Sequence, residues 1–287
     1  MSKRLLLLPL LALALAACGS SSDSSSSSSG SSSSKPAANA CTKDKLDLKN
    51  SGTLTVGTDK PAYPPYFADN DPTNGKGFES AVAYAVAKQL GFSSSEVQWK
   101  TVPFNSSYAP GSKDFDFDIN EISITPKRAK RVDFSSSYYT APQAVVALKS
   151  SKAASATSLA DLKDAKLGVQ LGTTSLDAVT EKIQPSSQPQ VFNDSNDTVR
   201  ALKIGRVDAI VVDLPTAFYI TAAQVPSAKI VGRFDAPGGD SWGLLAEKGS
   251  SLTGCLTQAV DKLKSDGTLN RLTERWMGGK AGAPTLG

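Results

Sequence analysis

Arg128 stands in the run Thr125-Pro126-Lys127-Arg128, where Thr125 reads as an N-cap and Pro126 as the first residue of a short helix. That spacing puts a guanidinium in the first helical turn, where the helix dipole disfavours a cation, and Lys127 beside it deepens the conflict. A guanidinium next to free backbone N–H groups can grip a carboxylate bidentately. The competing reading is a solvated basic helix, because Lys130 and Arg131 follow. Asp213 comes directly after the apolar run Val207 to Val212 and before Leu214-Pro215. It is either a helix cap or a cleft-facing acceptor for an ammonium group. Gly172-Thr173-Thr174 offers a small cradle for an anion or serves only the turn. Tyr63, in Tyr63-Pro64-Pro65-Tyr66, and Phe104 fall outside any amphipathic pattern, so they stack on a ligand or fill the core. Asp59, at a strand end, is a turn residue or a polar acceptor.

What is missing narrows the chemistry. The 287 residues include no histidine, which excludes a Ser-His-Asp triad, a Cys-His pair and histidine-ligated zinc. No catalytic residue, metal or cofactor is expected. The formal charge of +4 includes Lys3 and Arg4, so the remainder is nearer +2. With no dense basic stripe carrying interleaved aromatics, nucleic acid is not an expected partner.

The elements that must position these residues follow from periodicity. Leu54 to Thr58 reads as a strand, and Phe78, Val82, Val86 and Leu90 lie four apart on one helical face that Gly91 terminates. Strands are expected at Val97 to Val102 and at Phe115 to Ile124, ahead of the Pro126 helix. Val145 to Leu148, Lys166 to Gln170 and Val207 to Val212 read as further strands. A Ser158/Asp161 capping box begins one short helix, and others follow Gly172, span Thr198 to Ile204 and open at Leu214. Leu252, Leu256, Ala259, Val260 and Leu263 mark a late amphipathic helix, with a closing helix to Trp276. Strands alternating with helices imply an α/β fold with largely parallel sheets, in which ligands bind where strand ends meet helix N-termini.

The N-terminus implies export. Lys3 and Arg4 precede 13 residues from Leu5 to Ala17 that are almost wholly apolar, too few to span a bilayer, and the run ends in Leu15-Ala16-Ala17-Cys18-Gly19. This resembles a bacterial lipobox, with 1–17 as signal peptide and Cys18 as the lipidated residue. Thirteen of the 15 residues from Ser20 to Ser34 are serine, a flexible tether through about residue 41. Cys41 and Cys255 are then an even pair in an oxidising compartment, expected as a disulfide, with two separate thiols as the alternative.

Gly57-Thr58-Asp59, Tyr63-Pro64-Pro65, Gly77-Phe78-Glu79, Ile122-Ser123-Ile124-Thr125-Pro126-Lys127-Arg128, Val132-Asp133-Phe134-Ser135, Gly168-Val169-Gln170-Leu171-Gly172-Thr173-Thr174 and Val211-Val212-Asp213-Leu214-Pro215 occur in one order. Together they resemble the extracytoplasmic amino-acid-binding proteins of ABC importers, from about Leu54 to Trp276. The resemblance implies a two-lobed, periplasmic-binding-protein-like (type II) fold with two hinge-crossing strands. Residues 42–142 plus 240–287 would form lobe 1 and 143–239 lobe 2. It further implies a monomer that captures a free amino acid for a permease and its ATPase on the extracytoplasmic face, while the lipobox makes lipid the only membrane attachment and the serine-rich tether points to a Gram-positive surface. By the same resemblance, Arg128 clamps the carboxylate with Ser123 and Thr174, and Asp213 accepts the ammonium. Tyr63 and Phe104 form the walls, while Asp59 and Gln170 face the side chain. Asn120-Glu121 departs from the family's small residue at that point, so Glu121 adds charge or alters the rim. The acids favour a basic or amide side chain. A dehydratase-like enzyme of the same fold and a ligand-binding sensor or adhesin stay open as alternatives.

Overall fold

A computed structural model of the chain describes residues 41–278 and 282–287. The expected signal peptide, Cys18 and the serine tether lie outside the described residues. Among those residues no helix is long and apolar enough to cross a membrane.

Two five-stranded sheets organise the chain. The first has the order β2-β1-β3-β10-β4, built from β1 (Leu54–Thr58), β2 (Val97–Thr101), β3 (Phe117–Asp118), β4 (Val132–Thr140) and β10 (Ser241–Glu247). The second has the order β7-β6-β8-β5-β9, from β5 (Gln143–Leu148), β6 (Leu167–Gln170), β7 (Gln190–Phe192), β8 (Ala209–Asp213) and β9 (Ala228–Phe234). The chain crosses between sheets at Ala141-Pro142 and again at Asp235–Asp240, giving two lobes. Neither sheet is largely parallel as expected. β1 pairs parallel with β2 and β3, and β6 with β7 and β8, but β10 and β5 run antiparallel to their neighbours. The strands that carry the crossings must run back, which reverses half of each sheet.

Each sheet is covered by helices whose apolar spacing matches the surface beneath. α1 (Phe78–Gln89) buries Phe78, Val82, Ala83 and Val86 against the first sheet. Burial of Phe78, Val82 and Val86 contributes about 1.5–3 kcal/mol each, and that of the Ala83 methyl less. Gly77, before it, has φ +99°, and a Cβ there would lie 2.3 Å from the Tyr66 carbonyl oxygen, so glycine alone fits. α7 (Thr253–Ser265) and α8 (Thr268–Met277) pack on the same core, in which Trp242 is fully buried beside Tyr66 and Tyr139. The Cys41–Cys255 disulfide, with Cα atoms 5.3 Å apart, ties the start of this lobe to α7. In the second lobe, Val145, Val169 and Val211 face one core and Ala144, Val146 and Ile210 the other.

Three further expectations are corrected. The strand drawn from Phe115 to Ile124 is formed only at Phe117–Asp118, because the chain turns at Glu121, with φ +47°. The Ser158/Asp161 box is one-sided, with the Thr157 and Ser158 N–H groups donating to Asp161 at the start of a 3-10 turn. The last residues do not stay with the first lobe, since Thr285 pairs with Arg233 of β9 and Leu286 is buried in the second lobe's core.

Candidate functional site

The carboxyl ends of β1, β6 and β8 converge on a cleft between the lobes, the geometry in which α/β sheets hold ligands. Asp59, Tyr63, Phe104, Glu121, Ser123, Gln170, Thr174 and Asp213 all line one cavity of about 160 Å³. Arg128 is not among its lining residues.

Each position follows from local structure. Asp59 leaves β1 and accepts from the backbone N–H groups of Lys60 (2.7 Å) and Phe104 (3.1 Å), which fixes the start of the short helix α2 (Phe104–Ser107), not the expected loop, and with it the Phe104 ring. Thr173 caps α4 (Thr174–Ala178), accepting from Leu176 N–H at 3.3 Å, and so presents Thr174 at the cleft. Asp213 occupies the cap position of α6 (Leu214–Tyr219) but makes no side-chain capping bond. Its Oδ1 accepts from Gln143 Nε2 at 2.6 Å instead, so the carboxylate faces the cleft rather than the helix end.

Arg128, in α3 (Pro126–Ala129), is the residue whose placement differs most from expectation. Thr125 does cap the helix, accepting from Arg128 N–H at 3.2 Å. The guanidinium then turns inward and is only 6% exposed. Nη1 donates to the Ser123 carbonyl at 2.8 Å and Nη2 to the Gly172 carbonyl, in the other lobe, at 2.9 Å. Its Cζ lies 4.6 Å from the Tyr108 ring centroid and 5.5 Å from that of Phe104. One donor thus anchors the guanidinium to Ser123 in its own lobe, and a second reaches across to the other lobe directly behind Ser123.

Sequence reasoning missed several residues here. Tyr66 hydrogen-bonds Thr216 across the cleft at 2.8 Å, and Tyr63 donates to Asn196, with Tyr219 6.1 Å from its ring. Asp194 lines the cavity and caps α5 (Ser195–Lys203), a role its place before the helix could have revealed. Gln170 accepts from Ser195 at 2.6 Å. Asp240, 1% exposed, accepts from Ser123, Thr174 and Gln143. Nothing in Pro237-Gly238-Gly239-Asp240 marks it except a turn.

The lining is predominantly acidic, with Asp59, Glu121, Asp194 and Asp213 against the single cation Lys60. Burial pushes Asp213 well above the usual carboxylate range and the charge of Asp240 adds to it, against the hydrogen bond from Gln143. Burial, then the charge of Glu79, raise Glu121 in the same way. Asp59 is raised by burial despite its two N–H partners. Glu79, fully buried beneath, is raised by burial while Glu121 N–H and the Tyr138 hydroxyl both donate to its Oε1. Asp118 is also raised well above its range by burial, with both oxygens lacking a hydrogen-bond partner. Such a wall favours a cation, whose charge stabilises the ionised form of each raised carboxyl.

Two lobes, a polar cleft at the strand ends and hydrogen bonds crossing it define a protein that closes around a small solute. The chain belongs to the bacterial extracellular solute-binding proteins, family 3, whose model matches residues 54–279. It is 31% identical to the L-cystine-binding protein TcyJ of Escherichia coli K12 over 234 residues, 80% of this chain and 85% of that one. Among solved structures it is similar to an ancestral arginine-binding protein bound to arginine, at 36% identity and TM-score 0.65, covering 79% of this chain and 99% of that one. The ancestral amino acid-binding protein AncCDT-1, a precursor of cyclohexadienyl dehydratase, matches at 33% identity and TM-score 0.64, over 78% and 95%.

Proposed function

We propose that this protein captures a basic amino acid, L-arginine first among them, between its lobes and delivers it to an ABC permease and its ATPase. The observation that carries the preference is the acidic lining, with Asp59, Glu121, Asp194 and Asp213 all on the cavity. Asp59, Glu121 and Asp213 are each pushed up by burial. A basic amino acid brings two cationic groups to such a site. Asp213 takes the α-ammonium, Asp59 and Glu121 with Gln170 face the side chain, and Tyr63 and Phe104 form aromatic walls suited to a planar guanidinium. The carboxylate belongs at Ser123 and Thr174, with the charge of Arg128 behind them. Closure completes the site, and the differential affinity for the closed form is what a permease reads.

The site is read as binding rather than catalytic, in keeping with relatives described as binding proteins. The dehydratase alternative draws on AncCDT-1 and on a raised acid, Glu121, that could donate a proton. At the membrane, lipid on Cys18 and the serine tether would hold a monomer at high effective concentration near the permease, and on a Gram-positive surface would prevent its loss.

Thermal shift against the twenty amino acids and L-cystine tests the reading. A ligand at 100 times its dissociation constant adds about 2.7 kcal/mol. Arginine, lysine or histidine should give the largest shift. A largest shift with L-cystine or an acidic amino acid would overturn the basic preference, and a flat panel would overturn amino-acid capture.

A further inference from the structure

Asp240 lies at the end of the second crossing between lobes and touches groups from both. The Ser123 hydroxyl, from the first lobe, donates to its Oδ1. The Thr174 hydroxyl, from the second, donates to its Oδ2 at 3.0 Å, and Gln143 Nε2 donates to the same oxygen. Gln143 Nε2 also serves Asp213 at 2.6 Å, and Gln143 Oε1 accepts from Ser175 at 2.6 Å, so this amide has no polar atom left uncommitted. A hydroxyl has a single proton to donate. While Ser123 and Thr174 give theirs to Asp240, they present lone pairs to the cleft and cannot donate to a second carboxylate.

We propose that Asp240 is a resident carboxylate, engaging from within the protein the Ser123 and Thr174 hydroxyls that a captured amino acid's carboxylate requires, so that ligand must displace it. The inference rests on the amino-acid-capture reading above. Its geometry suits displacement. The loop leading to Asp240 contains Gly238 (φ +75°) and Gly239 (φ +80°), where an added Cβ would meet no atom within 4 Å, so it has room to move. The residue's hold on the first crossing is a main-chain bond, Ala141 N–H to the Asp240 carbonyl at 2.9 Å, which does not involve its side chain. Binding is then an exchange of one carboxylate for another, with the intrinsic affinity reduced by the stability of the internal contact. The same contact also links the lobes, as does Arg128 to the Gly172 carbonyl beside it.

The test compares L-arginine with agmatine, which lacks the carboxylate, on the full chain and its Asp240→Ala variant by titration calorimetry. Displacement predicts at least tenfold tighter binding of L-arginine and no gain for agmatine. Equal losses for both would mean that Asp240 only supports the site or acts on the ammonium, and would overturn the proposal, as would unchanged affinities. Asp240→Asn keeps the side chain's shape and should gain in the same direction if the alanine variant does not fold. Should the wild type not bind L-arginine, the arginine reading fails separately. The comparison is then repeated with L-lysine against cadaverine and L-cystine against cystamine, where a gain confined to the amino acid of either pair upholds the proposal and the absence of such a gain overturns it.

Discussion

Replacing both Cys41 and Cys255 by alanine should destabilise the protein severely without weakening ligand binding. The two cysteines are 214 residues apart in sequence, and their bond joins the beginning of the first lobe to α7, the helix the chain reaches only after building the second lobe. In the loop-closure description, removing a cross-link of that span returns about 18 cal/mol/K of entropy to the unfolded chain, or about 5 kcal/mol at 25 °C. Cys255 is 4% exposed in the first lobe's core, so truncation adds a small void to the loss. For a chain of this size about 2–4 °C of melting temperature accompanies each kcal/mol, so the midpoint should fall by 10 °C or more. Neither cysteine lines the cleft, so L-arginine affinity measured well below the new midpoint should stay within about twofold. Differential scanning calorimetry with and without reductant on the wild type gives the same comparison without mutation. A drop of less than about 2 °C would refute the argument that this bond organises a lobe made from two distant stretches of chain.

Asp213→Asn should weaken L-arginine about 100-fold, roughly 2.7 kcal/mol, by removing the ammonium's charge partner, as calorimetry would show. Burial and the charge of Asp240 raise this carboxyl, so the native state holds its proton more tightly than the unfolded chain. Its contribution to stability is therefore full below the ordinary carboxylate range and declines as pH rises through the raised value. Urea denaturation across pH should find that decline reduced in Asp213→Asn. For binding the sign is opposite, since affinity should rise with pH until Asp213 ionises freely, with proton release on capture. Arg128→Ala should cost about 1–3 kcal/mol of stability by leaving the Ser123 carbonyl without its Nη1 donor and the Gly172 carbonyl with only the Tyr108 hydroxyl, and should weaken L-arginine at least tenfold; unchanged affinity would remove Arg128 from the site. Gly77→Ala should cost about 2–4 kcal/mol, because its Cβ would collide with the Tyr66 carbonyl at a positive φ. A near-native melting curve would contradict it.

Much of the fold is legible where one element has one dominant signal. Phe78, Val82 and Val86 announce α1, and the buried run of β8 announces itself by apolar content alone. β4 is harder to read, because Ser135, Ser136 and Ser137 interrupt its apolar residues and its pairing with β10 shifts register twice. The false extension of β3 to Ile124 has a physical origin. Apolar residues alternate at Phe115, Phe117 and Ile119 and resume at Ile122 beyond the turn, since all four side chains reach the core. Site residues at strand ends, such as Asp59, Gln170 and Asp213, follow from the fold class. The placement of Arg128 does not, because its helix and cap are local but its partner, the Gly172 carbonyl, belongs to the other lobe. Asp240 and Gln143 carry no signal for the same reason, since their roles exist only once both crossings bring the lobes together.

The central claim is that the acidic cleft captures a basic amino acid, and titration calorimetry of the wild type with L-arginine at neutral pH tests it most directly. Saturable one-to-one binding, tighter than that of L-glutamine or L-cystine, is the expected result. No heat with L-arginine, together with clear binding of an uncharged or acidic amino acid, would contradict it.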